Sequence, residues 1–504
     1  MYLLFIMSRF LLLNAFSFFG FAVFSQTQGS AYTAVGKGVA TTFLTDYQCL
    51  GINTSALGWG TGYKDKRFTT GTSEFGFGIY SDELTSAKLK NLSKSLQNQL
   101  FGKSKNNFDW NQQKEAAASY AQSGIAIFAD YNWAGFSFQG KKFGGIAFNI
   151  SENYQWYSKL SQQTTDIIFK GQLSSYFDSL QIVLNGDTSM IANSQNISPD
   201  TLAAAIQGSV AVPLRLSEIT NGSSVKMLWT RSYNFGYGRK IIGKDSVFAL
   251  YGGIGGRFIQ SMAMFNMESD ENGLRLYSSL SPAFNLDYGS IATTNLSTYT
   301  TSGGGLPASV GNGYGIDLSA SAIFFGRLKV AAAVNNVGSV TYNRNVYSVK
   351  DTLMANISLA GLNNDNITES VNQMLRQGGI LTLVGKEKYV LSNPSNFRIG
   401  ASFQPFDFLN FGFDMVAPFN RENPGSIQNA IISFGGDIRP VKWLQLSVGY
   451  LGGGIYATNI PVGINFILRD GAYEIGVSSR DAISFFSKNT KSLSAAFGFA
   501  RFRF

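Results

Sequence analysis

The chain has 504 residues, of which only 14% are charged and none is histidine. Soluble proteins carry about 25% charged residues, and without histidine neither a Ser-His-Asp triad nor a typical zinc site can be built. The single cysteine, Cys49, excludes an internal disulfide, and the net charge of +9 is spread along the chain, which argues against nucleic-acid binding. We therefore expect no enzyme activity, no cofactor and no metal site.

The first 25 residues have the layout of a cleavable signal peptide. Arg9 precedes an apolar run of about 15 residues, and Val23 and Ser25 are small enough for a cleavage site before Gln26. The run is shorter than the roughly 20 residues that a membrane-spanning helix needs. We predict that residues 1–25 are removed on export. No later segment reaches that length either, so the mature chain can span a membrane only as a closed barrel.

Apolar and polar residues alternate in segments about 9–12 residues long, which suits tilted transmembrane strands. Between Leu409 and Met415, for example, every second residue is apolar and large. A soluble β-sandwich would alternate too, but the polar face here is rich in Gly and Ser, as a crowded lumen would be. The pattern therefore predicts an all-β fold, a transmembrane antiparallel β-barrel of about 14 strands. The predicted strands are 67–80, 124–139, 143–157, 224–237, 244–266, 313–325, 328–338, 394–404, 408–418, 427–438, 442–452, 458–469, 472–483 and 491–504.

The connections between these strands fall into a short and a long class that alternate along the chain. Outer-membrane barrels have short periplasmic turns and longer extracellular loops, so this alternation sets the orientation. The segment 272–286 also reads as a strand, but a further barrel strand would put the termini on opposite sides, so we place it in an extracellular excursion.

Three of the four long loops contain helix signals. The first has a leucine stripe over 89–100, the second has Ser198 as a cap, Pro199 at the first helical position and Gly208 as a stop, and the last has a capping box and a glycine stop over 366–378. The four long loops are 81–123, 158–223, 267–312 and 350–393.

Several side chains on the predicted strands carry a charge on the lumen-facing side. We expect them to solvate the lumen and to pair across strands; a role in selectivity is the alternative. These lumen-facing charges are Asp317, Lys329, Arg398, Asp414 and Asp437.

The last predicted strand is aromatic and ends at Phe502 and Phe504, which resembles the signal read by barrel-assembly machinery. Phe497 and Phe499 fall on the opposite face of that strand, which a β-bulge would reconcile.

Residues 26–66, which we call the hatch, precede the first strand of a barrel that spans 67–504. Their side chains are mostly small and glycines recur among them, which suits a plug threaded through the lumen. A flexible periplasmic tail is the alternative. The stretch Asn53-Thr54-Ser55-Ala56-Leu57-Gly58 resembles the Asn-Pro-Ala-Gly-Leu-like motif of the FadL-like superfamily, although no proline follows the asparagine. Val334-Asn335-Asn336-Val337-Gly338 is similar to the Asn-Asn-x-Gly strand end of the same barrels.

This resemblance implies a place in the cell outer membrane and leaves two functions open. One is passive transport of hydrophobic small molecules, and the other is a non-enzymatic role as partner subunit of a secretion or assembly complex, as in PorV-like members. The expected partners are outer-membrane lipid, the barrel-assembly machinery during biogenesis, and either a hydrophobic ligand or secretion-complex subunits. No nucleic-acid partner is expected.

Overall fold

The fold is taken from a computed structural model, which describes residues 31–63, 65–81, 114, 117–118, 120–121, 123–140, 142–194, 196–301, 306–358, 361, 382–454, 456–486 and 491–504. The signal peptide predicted for residues 1–25 lies outside these residues. So do the helices predicted around 89–100 and 366–378 in the first and last long loops.

Fourteen antiparallel strands close into one barrel, because the last strand pairs with the first. The predicted fold class and strand number are confirmed, with most predicted bounds within a few residues of those observed. The strands are β1 (Phe68–Ser81), β2 (Ile125–Gly140), β3 (Gly144–Lys159), β4 (Ser224–Lys244), β5 (Phe248–Asp270), β6 (Gly311–Phe324), β7 (Leu328–Tyr342), β8 (Asn396–Phe406), β9 (Leu409–Pro418), β10 (Ile431–Val441), β11 (Leu444–Gly453), β12 (Val462–Leu468), β13 (Tyr473–Ser479) and β14 (Ser492–Arg503). Each pairs with the next around the ring.

Alternation along each strand puts apolar side chains outside the barrel and polar ones inside it. In β10, Phe434 is 52% exposed on the outer surface, whereas its neighbour Ser433 and the later Asp437 are buried in the lumen. A belt of exposed apolar side chains of this kind is stable only against lipid, so the strands span a bilayer. No helix in the described part of the chain is both long and apolar enough to cross a membrane.

The six short turns and both ends of the strand ring lie at the same end of the barrel. The turns at 407–408 and 442–443 are only two residues long. By the rule that short turns face the periplasm, this end is periplasmic and the long loops are extracellular.

The extracellular loops build a small sheet of their own from strands Leu353–Ile357, Ala205–Arg215, Ser179–Leu184 and Asp187–Ala192. The last two form a hairpin around Asn185-Gly186. Both turn residues have positive φ angles, of 53° and 90°, as a type I′ turn requires. A further strand, Gly273–Leu280, pairs with the extracellular end of β5 and leaves the ring unchanged. It therefore forms the excursion predicted for 272–286.

One local prediction in the second loop is only partly right. Ser198 caps a helix at Pro199–Ala203, as the sequence indicates. The predicted stop at Gly208 is wrong, because the helix ends at Ala203 and Gly208 lies inside the next strand. Pairing of that strand with Ser179–Leu184 outweighs the local helix signal.

The remaining elements connect the barrel to its loops or lie inside the barrel. The α-helices are Tyr32–Val35, Gln162–Lys170, Leu216–Thr220 and Ile483–Phe486, and the short strands are Val346–Lys350, Thr382–Gly385, Tyr389–Ser392 and Tyr456–Asn459. The 3-10 helices are Tyr47–Cys49, Thr54–Gly58, Gly171–Leu173, Pro282–Phe284 and Gly289–Thr294.

Candidate functional site

The described part of the hatch lies folded inside the barrel, in its periplasmic half. Phe43 packs near Gly412, three residues from the periplasmic start of β9, and Thr41 packs near Gly400 on β8. Tyr32 and Tyr47 have the largest fully buried side chains of the hatch. The segment therefore fills the periplasmic half of the lumen and is not a periplasmic tail.

Glycines on the lumen side of the strands make room for the hatch. A Cβ atom at Gly71 or Gly135 would overlap the ring of Tyr47, and one at Gly435 or Gly449 would overlap the carbonyl oxygen of Lys37. The strand backbone and the hatch are thus in direct contact at these positions. This contact explains why the inward-facing positions of the strands are so rich in glycine.

A buried ionic cluster fastens the hatch to the two last strands. Arg501 on β14 pairs with Asp46 of the hatch and, at 3.0 Å, with Glu474 on β13. Arg503 pairs with the same Glu474 at 2.5 Å. All four side chains are at most 5% exposed, so each charge depends on its partner for compensation.

Glu74 on β1 forms a second anchor for the same part of the hatch. Its carboxylate accepts hydrogen bonds from the Tyr47 hydroxyl at 2.6 Å and from Gln48 Nε2 at 2.8 Å. Asn132 on β2 donates to the other carboxylate oxygen at 2.9 Å. The hatch is therefore held from three adjacent strands of the wall.

The five lumen-facing charges predicted from the sequence are all directed into the lumen, where they have different partners. Asp317 pairs across strands with Arg257 at 2.7 Å. Asp414 instead accepts hydrogen bonds from the backbone N–H groups of Ala40 and Thr41, at 2.8 and 3.0 Å.

Two of the other three charges contact the hatch directly. Asp437 pairs with Lys37 of the hatch. Lys329 lies over the ring of Trp59, with its Nζ atom 4.7 Å from the ring centroid. Arg398 is buried on β8 at 3% exposure. These positions assign most of the predicted charges to hatch binding; a selectivity role stays a prediction.

The predicted hatch motif forms a single 3-10 turn, Thr54–Gly58, that packs against β4 and β5 and forms hydrogen bonds to β6. Asn53 donates to the carbonyl oxygen of Thr41 at 2.8 Å and accepts from the Ser55 hydroxyl at 2.6 Å, which closes the hatch on itself. Ser55 also donates its N–H to Ser319 at 2.8 Å. Ala56 and Leu57 are fully buried in the apolar core of the hatch. The turn therefore joins the hatch interior to the wall.

The second family-like motif lies in mid-strand, so the predicted strand end at Gly338 is wrong. β7 continues to Tyr342, and the motif forms a bulge at Asn335 and Asn336, where Asn336 has a φ of 62°. Asp317 stabilises the bulge by accepting the Asn336 N–H at 2.7 Å. Asn335 is turned inward and donates to the carbonyl oxygen of Ile52 in the hatch.

A chamber of about 140 Å³ lies on the extracellular side of the hatch, within the lumen. The hatch residues Tyr47, Gln48, Leu50, Gly51 and Ile52 form its floor. Its walls come from the inward faces of β2–β5 and β7 and from residues 391–396. Amide and hydroxyl side chains predominate in the walls: Asn132, Asn149, Ser151, Asn153, Gln155, Thr230, Ser232, Asn234, Asn335, Asn336, Asn393 and Asn396.

The carboxyl-terminal strand contains a β-bulge. The sequence suggested it, because strict alternation puts Phe497 and Phe499 on the opposite face from Phe502 and Phe504. Glu474 pairs with Arg501 and Gly476 with Gly498, which leaves one extra residue on β14 between these pairs. Phe499 and Phe502 consequently both point outward, at 55% and 39% exposure, and Phe504 is exposed as well. The role of Phe502 and Phe504 as an assembly signal stays a prediction.

Sequence reasoning missed the residues that fasten the hatch most firmly. Glu474, Arg501 and Arg503 occupy the polar phase of β13 and β14, so their inward direction was readable from the alternation. Their partner Asp46 carries no such signal, because nothing local shows that residue 46 reaches the last strand. In the described residues, no three His, Cys, Asp or Glu side chains are grouped as a metal site.

Residues 188–469 match the model of a family of unknown function (DUF5723), and this stretch is more than half of the 504 residues. The chain belongs to this family. The family match begins in the extracellular hairpin and ends just after β12, so the hatch lies outside it. No curated protein matches the chain.

Several solved structures are similar to this chain over most of its length. The toluene transporter TodX of Pseudomonas putida is 9% identical and has a TM-score of 0.39, with 96% of this chain and 98% of that chain covered. The toluene transporter TbuX of Ralstonia pickettii is 12% identical, with a TM-score of 0.42 and coverage of 95% and 99%. A FadL homologue of Pseudomonas aeruginosa is 10% identical, with a TM-score of 0.38 and coverage of 95% and 99%. The barrel with an internal amino-terminal segment is the architecture that the FadL-like resemblance predicts.

Proposed function

We propose that the protein is a passive outer-membrane channel for hydrophobic small molecules, with the hatch as its gate. The observation that carries this proposal is a folded segment that blocks the periplasmic half of the barrel and is held there by non-covalent contacts alone. Such a segment can move without breaking a covalent bond. The proposal is passive transport, because the sequence contains no phosphate-binding loop of the P-loop type.

An apolar cluster at the extracellular end supports a hydrophobic substrate. It joins Ile125 and Ile127 at the top of β2 to Ile431 and Leu451 on the opposite side of the barrel, with Phe169 of the second loop between them. Burial of an apolar molecule among such side chains gains about 25 cal/mol per Å² removed from water. These side chains are buried against each other, so a hydrophobic compound would bind here by separating them as it enters the mouth.

The barrel wall beside the hatch is thin at one place, where such a compound would leave the lumen for the lipid. An apolar groove of about 560 Å³ on the outer surface is lined by Phe148, Phe235 and Ile254, with Gly236 at its base. On its inner side, Gly236 contacts Leu50 of the hatch. One layer of backbone separates hatch from lipid here. Because β4 is fully paired around Gly236, exit at this point requires the hatch and the strand to shift together.

A disulfide that locks the hatch tests the gate. A Cβ atom at Gly38 would lie 3.5 Å from that of Ser433 on β10, within the range of a disulfide. We would combine Gly38→Cys with Ser433→Cys in a Cys49→Ser chain and follow the uptake of radiolabelled toluene by cells with an intact lipopolysaccharide layer. Oxidised cells should lose uptake, and a reductant should restore it.

The two single-cysteine variants are the matched controls, and Gly38→Cys also reports the strain of a side chain at its φ of 71°. Equal uptake in the oxidised and reduced double variant would show that the hatch is no gate. Uptake no faster than in cells without the protein would reject transport of this compound class.

A role as partner subunit is the second candidate, and the extracellular hairpin favours it. Its strand Asp187–Ala192 pairs on one side only among the described residues, and it contains neither Lys nor Pro to discourage a further strand. Met190 on this strand is 58% exposed. A partner that adds a strand here should co-purify stoichiometrically in mild detergent and be lost from Met190→Lys. If no protein co-purifies with the unchanged chain, this candidate fails.

A further inference from the structure

We propose that the chamber above the hatch is a binding site for a neutral polyhydroxy compound about the size of a three-carbon polyol. This ligand is water-soluble, so the inference goes beyond the proposed transport of hydrophobic molecules. It rests on the chemistry of the chamber walls and not on movement of the hatch.

The walls present hydrogen-bonding groups at regular intervals. On β3, every second residue from Asn149 to Gln155 points into the chamber, and on β4 the same holds from Thr230 to Asn234. Because side chains alternate along a strand, this spacing gives two adjacent rows of amides and hydroxyls. The opposite wall adds further amides, from Asn335, Asn336, Asn393 and Asn396.

The charged groups that border the chamber are already engaged within the protein. Glu74 accepts three hydrogen bonds, as described above, and Arg257 donates through Nη2 to both carboxylate oxygens of Asp317 at 2.7 Å, although its Nε has no hydrogen-bond partner. Asp130 accepts from Asn153 Nδ2 at 2.5 Å. A ligand therefore meets neutral donors and acceptors, which favours a neutral molecule over an anion or a cation.

Three amide oxygens in the chamber walls are buried and have no hydrogen-bond partner. They belong to Asn132, Gln155 and Asn335, whose side chains are at most 5% exposed. For two of these residues, exchanging the nitrogen and oxygen atoms of the side-chain amide would not provide a partner for the unpaired oxygen. Asn132 Nδ2 donates to the Glu74 carboxylate and Asn335 Nδ2 to the Ile52 carbonyl, so a flipped amide would place oxygen against oxygen.

Unpaired buried acceptors destabilise a folded chain unless a donor reaches them. The missing partners are donors, and a hydroxyl group supplies one donor while it can still accept from a neighbouring amide N–H. Asn132 faces Ser151 across the β2–β3 pair and so lies about 13 Å along the strands from Gln155, while Asn335 lies on β7. A three-carbon polyol would therefore reach one or two of these oxygens, and its other hydroxyl groups would bond to neighbouring amides. Asn396 Oδ1, at the rim formed by residues 391–396, is unpaired as well.

Apolar side chains among the amides distinguish a polyol from a water cluster. Leu50 and Ile52 in the floor and Leu228, Ile259 and Val340 in the walls also line the chamber. Each buried water needs two to four polar partners, which these surfaces do not supply. The carbon–hydrogen surface of a polyol packs against such side chains, while its hydroxyl groups reach the amides.

The size of the chamber limits the ligand. A cavity of about 150 Å³ holds benzene, which has six non-hydrogen atoms. The chamber measures about 140 Å³, and glycerol also has six non-hydrogen atoms. We therefore choose glycerol as the probe.

Saturation-transfer NMR on the purified full chain in glycerol-free detergent tests the site. Glycerol should give a saturable signal, and 1,2-dimethoxyethane, which matches it in size but has no hydroxyl donor, should not. At least one of the variants Gln155→Leu and Asn132→Leu should weaken glycerol binding by about tenfold or more, because a chamber built for hydroxyl groups loses an acceptor. Ser447→Ala, which removes an unpaired buried hydroxyl of β11 outside the chamber lining, should bind like the unchanged chain.

Two results would overturn the proposal. One is no saturable glycerol signal, which would show that the chamber holds water only. The other is equal binding by the Leu variants and the unchanged chain, with the barrel of each verified by its shift on unboiled gels. The assay measures binding and not transport. Glycerol binding could therefore be confirmed even if the proposed channel function were rejected, and the channel function could be confirmed even if glycerol did not bind.

Discussion

Arg501 in the last strand of the barrel and Asp46 in the hatch form a buried ion pair across 455 positions of sequence. Glu474 on the neighbouring strand shares the same guanidinium. The pair can form only after β14 has been made, and β14 closes the ring by pairing with β1. Closure of the barrel and docking of the hatch are therefore linked through one side chain.

Replacement of Arg501 should be costly for this reason. In Arg501→Met, the stem is kept but Asp46 loses its cation, and an uncompensated buried charge costs about 3–5 kcal/mol. We expect the free energy of unfolding in detergent, measured by guanidinium titration, to fall by about that amount. The double variant Asp46→Asn with Arg501→Met should recover part of the loss. Unchanged stability of the single variant would contradict the structure.

The contact between bare strand backbone and the hatch can be tested with one methyl group. Gly435→Ala would place a Cβ atom against the carbonyl oxygen of Lys37, a backbone atom that cannot rotate away. We expect this variant to displace the hatch, measured as a gain of about tenfold in the rate at which Cys49 reacts with a maleimide.

Gly452→Ala is the control, because its Cβ atom would lie 3.5 Å from the nearest atom, in the flexible ring of Tyr450. That variant should label as slowly as the unchanged chain. Equal rates in the two alanine variants would argue against a tightly packed hatch.

Cys49 is a natural reporter of the position of the hatch. Its side chain has no exposed surface, and burial raises the pKa of the Cys49 thiol, so little of the reactive thiolate forms. We predict that the native protein resists maleimide at neutral pH and that urea which releases the hatch exposes the thiol. Rapid labelling of the native barrel, read by mass spectrometry, would mean that the hatch is not docked in solution.

The second extracellular loop should weaken at low pH. Burial raises the pKa of Asp166, but hydrogen bonds from Lys170, Ser174 and Ser175 outweigh it and hold the pKa of that carboxyl below its ordinary value. Because the pKa is lower in the folded loop, Asp166 stabilises the loop above about pH 4, near the pKa of an unfolded aspartate. This stabilisation is lost as the pH falls through the folded pKa.

Pepsin cleavage near residues 160–178 should therefore accelerate as the pH is lowered from about 4. Asp166→Asn should be cut more readily already at the upper end of that range and should show a flatter pH dependence. If the variant and the unchanged chain have the same profile, Asp166 does not stabilise the loop.

The barrel was predictable because a bilayer imposes two simple requirements on every strand, a fixed length and a strict alternation of faces. Phe434 and Ser433 satisfy these requirements without reference to any other part of the chain. The hatch contacts follow no such rule. Asp46 finds Arg501, and Asn335 finds Ile52, only because closure brings distant segments together.

The two local errors have the same origin. Gly208 reads as a helix stop and Gly338 as a strand end, and at both places long-range strand pairing overrides the local signal. The chamber was also beyond prediction, because its floor is the hatch and its walls come from strands far apart in sequence.

The inward-facing glycines set a limit on turning this barrel into an open pore. If residues 31–63 were excised, the strands would lose their packing against the hatch. Their backbone peptide groups would then be exposed to water at positions such as Gly71, Gly135 and Gly435. Glycine adds conformational entropy and no side-chain packing, so the emptied cylinder should flex and flatten along these bands. A durable pore would need larger inward residues introduced together with the excision.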